Sequence, residues 1–163
     1  MAGTAALNLP AAGRPVLATG AWFKSTVCAF RDGEARVSAT VGDLETPEAC
    51  TGFDRACDEM LGWLGERPAA IARDLHPDFY SSRAAARLAG EFGVPLIEVQ
   101  HHHAHIGSLC AEHGIAGPVI GLALDGVGLG TDKMPWGGEL LRVDGARFER
   151  LGHFRRIAVP GGG

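Results

Sequence analysis

The sequence predicts an α/β domain in which a mixed sheet is flanked by helices. Three observations carry that expectation. Hairpin-linked β-prone runs open the chain, strand and helix patterns then alternate, and a strongly apolar run at Val119 begins a second β-turn-β unit. Hydrophobic residues make up 46% of the 163 and charged residues 21%, which is enough apolar material for a core.

Residues 1–15, rich in Ala, Gly and Pro, read as a flexible leader. Residues 16–20 form a short apolar run consistent with a buried strand. Residues 25–30 and 35–41 read as a hairpin about Asp32 and Gly33, a pair suited to the positive backbone angles of a two-residue turn. The next segment carries helix punctuation: Thr46 to cap, Pro47 at the first helical position, Glu48 at the positive end of the dipole and Gly65 as the stop. Its apolar residues Ala49, Phe53, Ala56, Cys57, Met60, Leu61 and Leu64 share one face. Burying that face contributes on the order of 10 kcal/mol before entropy is subtracted.

Residues 69–75 read as a strand, 82–92 as a helix stopped by Gly93, and 95–99 as another strand. That strand leads directly into a histidine-rich helix ending near His113 and Gly114. A strand at 119–124, a Gly-rich stretch at 125–130 and a hairpin of 139–143 with 147–154 about Asp144 and Gly145 follow. The restart divides the chain into a first lobe at 16–117 and the start of a second, incomplete lobe at 118–163. Duplicated units of this kind bind nucleotide in the cleft between the copies.

Net charge is −4 and no basic run exceeds Arg155-Arg156, so a nucleic-acid surface is not expected. The four cysteines form no C-x-x-C pair, which argues against a zinc knuckle or a redox motif. No stretch is long and apolar enough to span a membrane, and the first residues lack a secretory pattern. A soluble, cytoplasmic protein with reduced thiols is the expectation.

His101 and His105, at i and i+4, lie on one face of a helix that starts at a strand end, so both imidazoles can reach one divalent cation. The alternative is a pair of satisfied core histidines. His102 shares a stripe with Ile106, Leu109 and His113 and reads as packed or hydrogen-bonded. His103 projects elsewhere and is a candidate for substrate contact. Asp125 closes a buried strand, where it can hold a metal ion or its waters, and Gly126, Gly128 and Gly130 can let backbone N–H groups approach phosphate. A plain Gly-rich turn is the competing reading. Lys24 occupies the matching turn of the first unit, as a phosphate contact or a solvated charge. Asp74, His76 and Asp78 sit at a strand C-terminus, where α/β sheets bind ligands, with Asp78 alternatively capping the next helix.

Asp74-Leu75-His76-Pro77-Asp78, the His101–His105 cluster, residues 123–132, Trp136-Gly137-Gly138-Glu139 and Pro160-Gly161-Gly162 together resemble the HypF carbamoyltransferase family. Residues 20–28 and 42–45 match more weakly, in the same order. The resemblance covers residues 16–162 and implies an RNase H-like, actin-like ATPase fold. It also implies a reaction in which carbamoyl phosphate and ATP give carbamoyladenylate. The carbamoyl group then passes to a C-terminal cysteine of a HypE-type acceptor, for nickel–iron hydrogenase maturation.

By matched position, His101 and His105 would be metal ligands for zinc, iron or magnesium. Lys24, Asp125, Gly126, Gly128 and Gly130 would face the nucleotide, with Asp125 and His103 as candidate catalytic residues. Asp74, His76 and Asp78 would face substrate or support the ligands. The family's other domains are expected elsewhere in a full-length protein, so these residues alone are expected to be inactive. A tRNA-modifying TsaD-like transferase, or a non-catalytic interaction remnant, is the alternative.

Overall fold

A computed structural model describes residues 4–9 and 13–155, so Pro160, Gly161 and Gly162 lie outside the described residues. In chain order the elements are β1 (Ala5–Asn8), β2 (Val16–Ala18), β3 (Cys28–Arg31), β4 (Glu34–Val37), α1 (Pro47–Leu64), β5 (Ala70–Asp74), α2 (Tyr80–Phe92), β6 (Leu96–Val99) and α3 (His101–Glu112). Then come β7 (Val119–Ala123), β8 (Gly128–Leu129), β9 (Pro135–Trp136), β10 (Glu139–Asp144) and β11 (Arg147–His153).

The first sheet has the order β1-β4-β3-β2-β5-β6, antiparallel through the hairpins and parallel where β5 and β6 join β2. The mixed α/β expectation holds. Local signals explain why. Asp32 and Gly33 both take positive φ between β3 and β4, the geometry that a two-residue hairpin needs. Thr46 accepts the Ala49 N–H at the start of α1, and Gly65 ends the helix at φ 66°. Phe53, Ala56, Cys57, Met60 and Leu64 of α1 pack with Leu17, Ala29, Ile71, Ala85 and Leu88 into the first core.

One sequence expectation needs correction. Residues Ala5–Asn8 are not a loose leader: they pair antiparallel with β4, from Ala5↔Val37 to Asn8↔Glu34. An open strand edge presents unpaired N–H and C=O groups, and a short run without competing polar side chains satisfies them. Ile106 of α3 joins Ala123, Trp136, Leu141 and Val143 in a second core, so the histidine helix packs with the second sheet. Cys110 lies at the margin of that core and is half-buried.

The second sheet has the order β11-β10-β7, all antiparallel. Its meander repeats the β4-β3-β2 meander of the first sheet, as the restart at Val119 predicts. In the first sheet β5 lies parallel on the free edge of β2, whereas the matching edge of β7 carries no strand among the described residues. Ile120, Leu122 and Leu124 stand 62%, 54% and 69% exposed along β7 and just beyond it. Among the described residues no helix is long and apolar enough to cross a membrane.

An apolar face beside an open edge invites association. The purified chain should therefore self-associate with rising concentration in sedimentation velocity, and Leu122→Lys should shift it toward monomer. Identical behaviour of the two proteins would show that this face is not the contact.

Candidate metal centre

β5, β6 and β7 each end at the same place. Asp74 is the last residue of β5, α3 begins two residues after β6, and Asp125 lies two residues beyond β7. Because α3 starts without an intervening loop, its first turn is fixed by the strand before it. Gln100 caps that turn. Its Oε1 accepts the His103 N–H at 2.9 Å, and its Nε2 donates to the Leu129 carbonyl at 3.2 Å. The same amide lies 3.1 Å from His102 Nδ1, so His102 Nδ1 is the acceptor. His102 is fully buried and its Nε2 has no protein partner among the described residues. Burial pushes its pKa down, as does the neighbouring His101, so the neutral ring is favoured.

His101 and His105 converge as their spacing predicts, with Nε2 atoms 3.3 Å apart. Asp125 Oδ2 lies 2.8 Å from His101 Nε2 and 3.6 Å from His105 Nε2. Three ligands held about 2.1 Å from one cation are separated from one another by roughly 3.0–3.4 Å. The three donor atoms, 2.8, 3.3 and 3.6 Å apart, come within a few tenths of an ångström of that geometry. Asp74, almost fully buried, binds His101 from behind: its Oδ2 accepts from Nδ1 at 2.9 Å and its Oδ1 accepts the His76 N–H at 2.7 Å. A proton on Nδ1 leaves the Nε2 lone pair facing Asp125 and His105, the tautomer that metal ligation needs.

Electrostatics agree with the geometry. The Asp74 hydrogen bond raises the His101 pKa against the effect of burial, and the charges of Asp74 and Asp125 add to it. Burial pushes the Asp125 carboxyl up, but the Gly126 N–H and the two histidines outweigh it and hold the group low. Asp125 thus stays ionised next to two imidazoles.

The remaining candidates divide. His103 does not join the cluster; its Nε2 donates to the Gly145 carbonyl at 2.8 Å and its ring packs on Phe148, so it ties α3 to the β10–β11 turn. That removes it as a candidate catalytic residue. His76 stacks on Phe79 with centroids 4.2 Å apart, and its Nδ1 accepts the exposed Asp78 N–H. Asp78 does not cap α2, whose N-cap is Phe79 without a side-chain bond. Lys24 is exposed, and its N–H donates to Asp43.

Of Gly126, Gly128 and Gly130, only Gly126 has open space where a side chain would be. A Cβ on Gly128 would stand 2.6 Å from His101 Cβ, and the Gly130 N–H already donates to Met134 O. Gly128 is thus glycine because His101 packs on it, and Gly130 has no free N–H for phosphate.

Sequence reading missed Gln100, Glu139 and Arg150. Glu139 is fully buried, and Arg150 grips it with Nε at 2.6 Å and Nη2 at 2.8 Å. Burial pushes the Glu139 carboxyl up, but Arg150 and the Gly137 N–H outweigh it and hold the group below the ordinary range. The signal was available in the alternation Glu139, Leu141, Val143, which puts a carboxylate on the apolar face of a strand.

Comparison with known proteins bears on this arrangement. Residues 11–112 match the family model of the HypF Kae1-like domain, and residues 121–163 match that of the second subdomain of the carbamoyltransferase Kae1-like domain. The chain is 54% identical over 157 residues to Carbamoyltransferase HypF2 of Cupriavidus necator, covering 96% of this chain and 20% of that one. It superposes on T. kodakarensis HypF with TM-score 0.87 and 35% identity, covering 96% of this chain and 21% of that one. It also superposes on full-length HypF in its phosphate- and nucleotide-bound form with TM-score 0.85 and 36% identity, covering 92% of this chain and 20% of that one. The chain therefore spans about a fifth of the length of these relatives.

If the three donors share a cation, the chain should bind about one Co²⁺ or Zn²⁺ in isothermal titration calorimetry. His101→Ala, His105→Ala or Asp125→Ala should each weaken binding by an order of magnitude or more. Affinity should fall with falling pH as protons compete for the imidazoles, starting above the ordinary histidine range because His101 is raised. Equal affinity in all four proteins would reject the site.

Proposed function

This chain belongs to the HypF Kae1-like domain family, and from that premise we propose that it is part of a HypF-type carbamoyltransferase working in the cytoplasm on hydrogenase maturation. In the proposed reaction water converts carbamoyl phosphate to carbamate and phosphate, carbamate and ATP give carbamoyladenylate and pyrophosphate, and the C-terminal cysteine thiolate of a HypE-type acceptor takes the carbamoyl group as AMP leaves. The observation that carries the reading is the meeting of His101, His105 and Asp125 in one small volume, backed by buried Asp74. A divalent metal held there would neutralise phosphate charge and polarise the group to be transferred.

The residues of the chain supply the rest. Asp74 fixes the His101 ring so that its Nε2 faces the cation. Asp125 carries the anionic donor from the second sheet. Gly126 leaves the backbone open on the side where phosphate would approach, and exposed Lys24 is available as a point charge for an anionic substrate. The match to a HypF described in a phosphate- and nucleotide-bound form is in keeping with a nucleotide substrate.

The test uses a full-length protein containing this segment, with ATP, carbamoyl phosphate and a HypE-type acceptor, read by the intact mass of the acceptor. His101→Ala should abolish the gain of one carbamoyl group, and Asp74→Asn should slow it by about 10- to 100-fold. Normal turnover by His101→Ala would sink the reading. These 163 residues alone, about a fifth of the relatives' length, should transfer nothing.

A further inference from the structure

The loop that carries Asp125 is held by a strap whose anchor is a buried ion pair. After Asp125 the chain runs out through β8, turns, and returns through β9 to Trp136, Gly137, Gly138 and Glu139. On its return it crosses the peptide that it left. The Gly138 N–H donates to the Asp125 carbonyl at 3.1 Å. Gly137 lies so close to the Gly126 carbonyl, one peptide on, that a Cβ there would overlap its oxygen. The side chain of Asp125 is thereby fixed at its root. Its Oδ1 accepts the Gly126 N–H, and its Oδ2 is left to face His101 and His105.

Glu139 holds the strap down. Its Oε1 accepts the Gly137 N–H at 2.9 Å, and both of its oxygens accept from Arg150. The Arg150 guanidinium also lies over the Trp136 ring, 4.1 Å from its centroid, and Trp136 Nε1 donates to Asp132 within the same hairpin. Both oxygens of a fully buried carboxylate are thus engaged, Oε1 by the strap and Arg150 and Oε2 by Arg150 alone. An apolar residue would fill the Glu139 position on β10 as Leu141 and Val143 fill theirs, but it could not bind Gly137.

We propose that the Glu139–Arg150 pair is a positioning device for Asp125, acting through the Gly137–Gly138 backbone to set the carboxylate opposite the two histidines. The proposal rests on reading Asp125 as a ligand. It assigns Glu139 and Arg150 a role in the site although neither touches the metal position. The competing account is that the pair is a core ion pair whose loss would weaken the fold and leave the site alone.

The two accounts separate in the protein as it stands, with Co²⁺ alone as the probe. Glu139→Gln and Arg150→Lys keep volume and polarity but lose the bidentate grip. Each should lower Co²⁺ affinity by about 10- to 100-fold and change the visible absorption of the complex, while circular dichroism stays that of the unaltered chain. Amide exchange at Gly138 should quicken in both. In an Asp125→Ala background the same substitutions should change affinity by less than about twofold, because the residue they position is gone. Equal losses with and without Asp125, or unchanged affinity in folded Glu139→Gln and Arg150→Lys, would overturn the proposal and leave the pair structural. Failure of the unaltered chain to bind Co²⁺ would instead overturn the metal reading, and this inference with it.

Discussion

His101 stands between two carboxylates carried by different sheets. Asp74 reaches its Nδ1 from the end of β5, and Asp125 reaches its Nε2 from beyond the end of β7. This line of three residues is where the two cores meet on one ring. It works only because α3 begins directly at the end of β6, which places the first turn of the helix between the C-terminal ends of strands from both sheets. A loop of even a few residues there would let the ring wander. Asp74 adds a chemical constraint to the positional one, since its hydrogen bond decides which nitrogen is free.

The same requirement explains why residues 125–138 hold so many glycines. A carboxylate that must face two imidazoles within 4 Å leaves little space for the chain around it. Gly128 yields to the His101 side chain and Gly137 to the Gly126 carbonyl, so the hairpin folds tightly beside the two imidazoles. Of the glycines in this segment, Gly126 alone keeps an open side. Such crowding demands an anchor that does not slip. The buried Glu139–Arg150 pair meets this need, because removing one partner of such a pair leaves an uncompensated charge, at a cost of about 3–5 kcal/mol.

The histidine helix shows how one element divides its faces. His101 and His105 turn toward the carboxylates, His102 and Ile106 turn into the second core, and His103 reaches the β10–β11 turn. Three consecutive histidines therefore do three different things. Helical geometry sends neighbouring residues about 100° apart, and the partners waiting in each direction decide what each imidazole becomes. Across β7 the faces divide: Ala123 is buried against α3, while Ile120 and Leu122 are exposed beside an edge that carries no strand among the described residues.

Local rules determined much of this protein from sequence. The caps at Thr46 and Gly65, the turn at Asp32 and Gly33, the apolar stripe of α1 and the i,i+4 pairing of His101 and His105 depend on residues close in the chain, and each is found as read. The packing of α3 on the second sheet depends on distant groups, as do the pairing of Ala5–Asn8 with β4, whose partners lie 26 to 32 residues away, and the diversion of His103 to Gly145, 42 residues away. So do Asp74 behind His101 and the grip of Arg150 on Glu139, at separations of 27 and 11. Sequence periodicity states which way a side chain points relative to its own helix or strand. It cannot state what another element brings to meet it, because that is set by how two sheets and the helix between them pack. Tertiary structure alone made a three-donor site from a histidine pair and a lone aspartate.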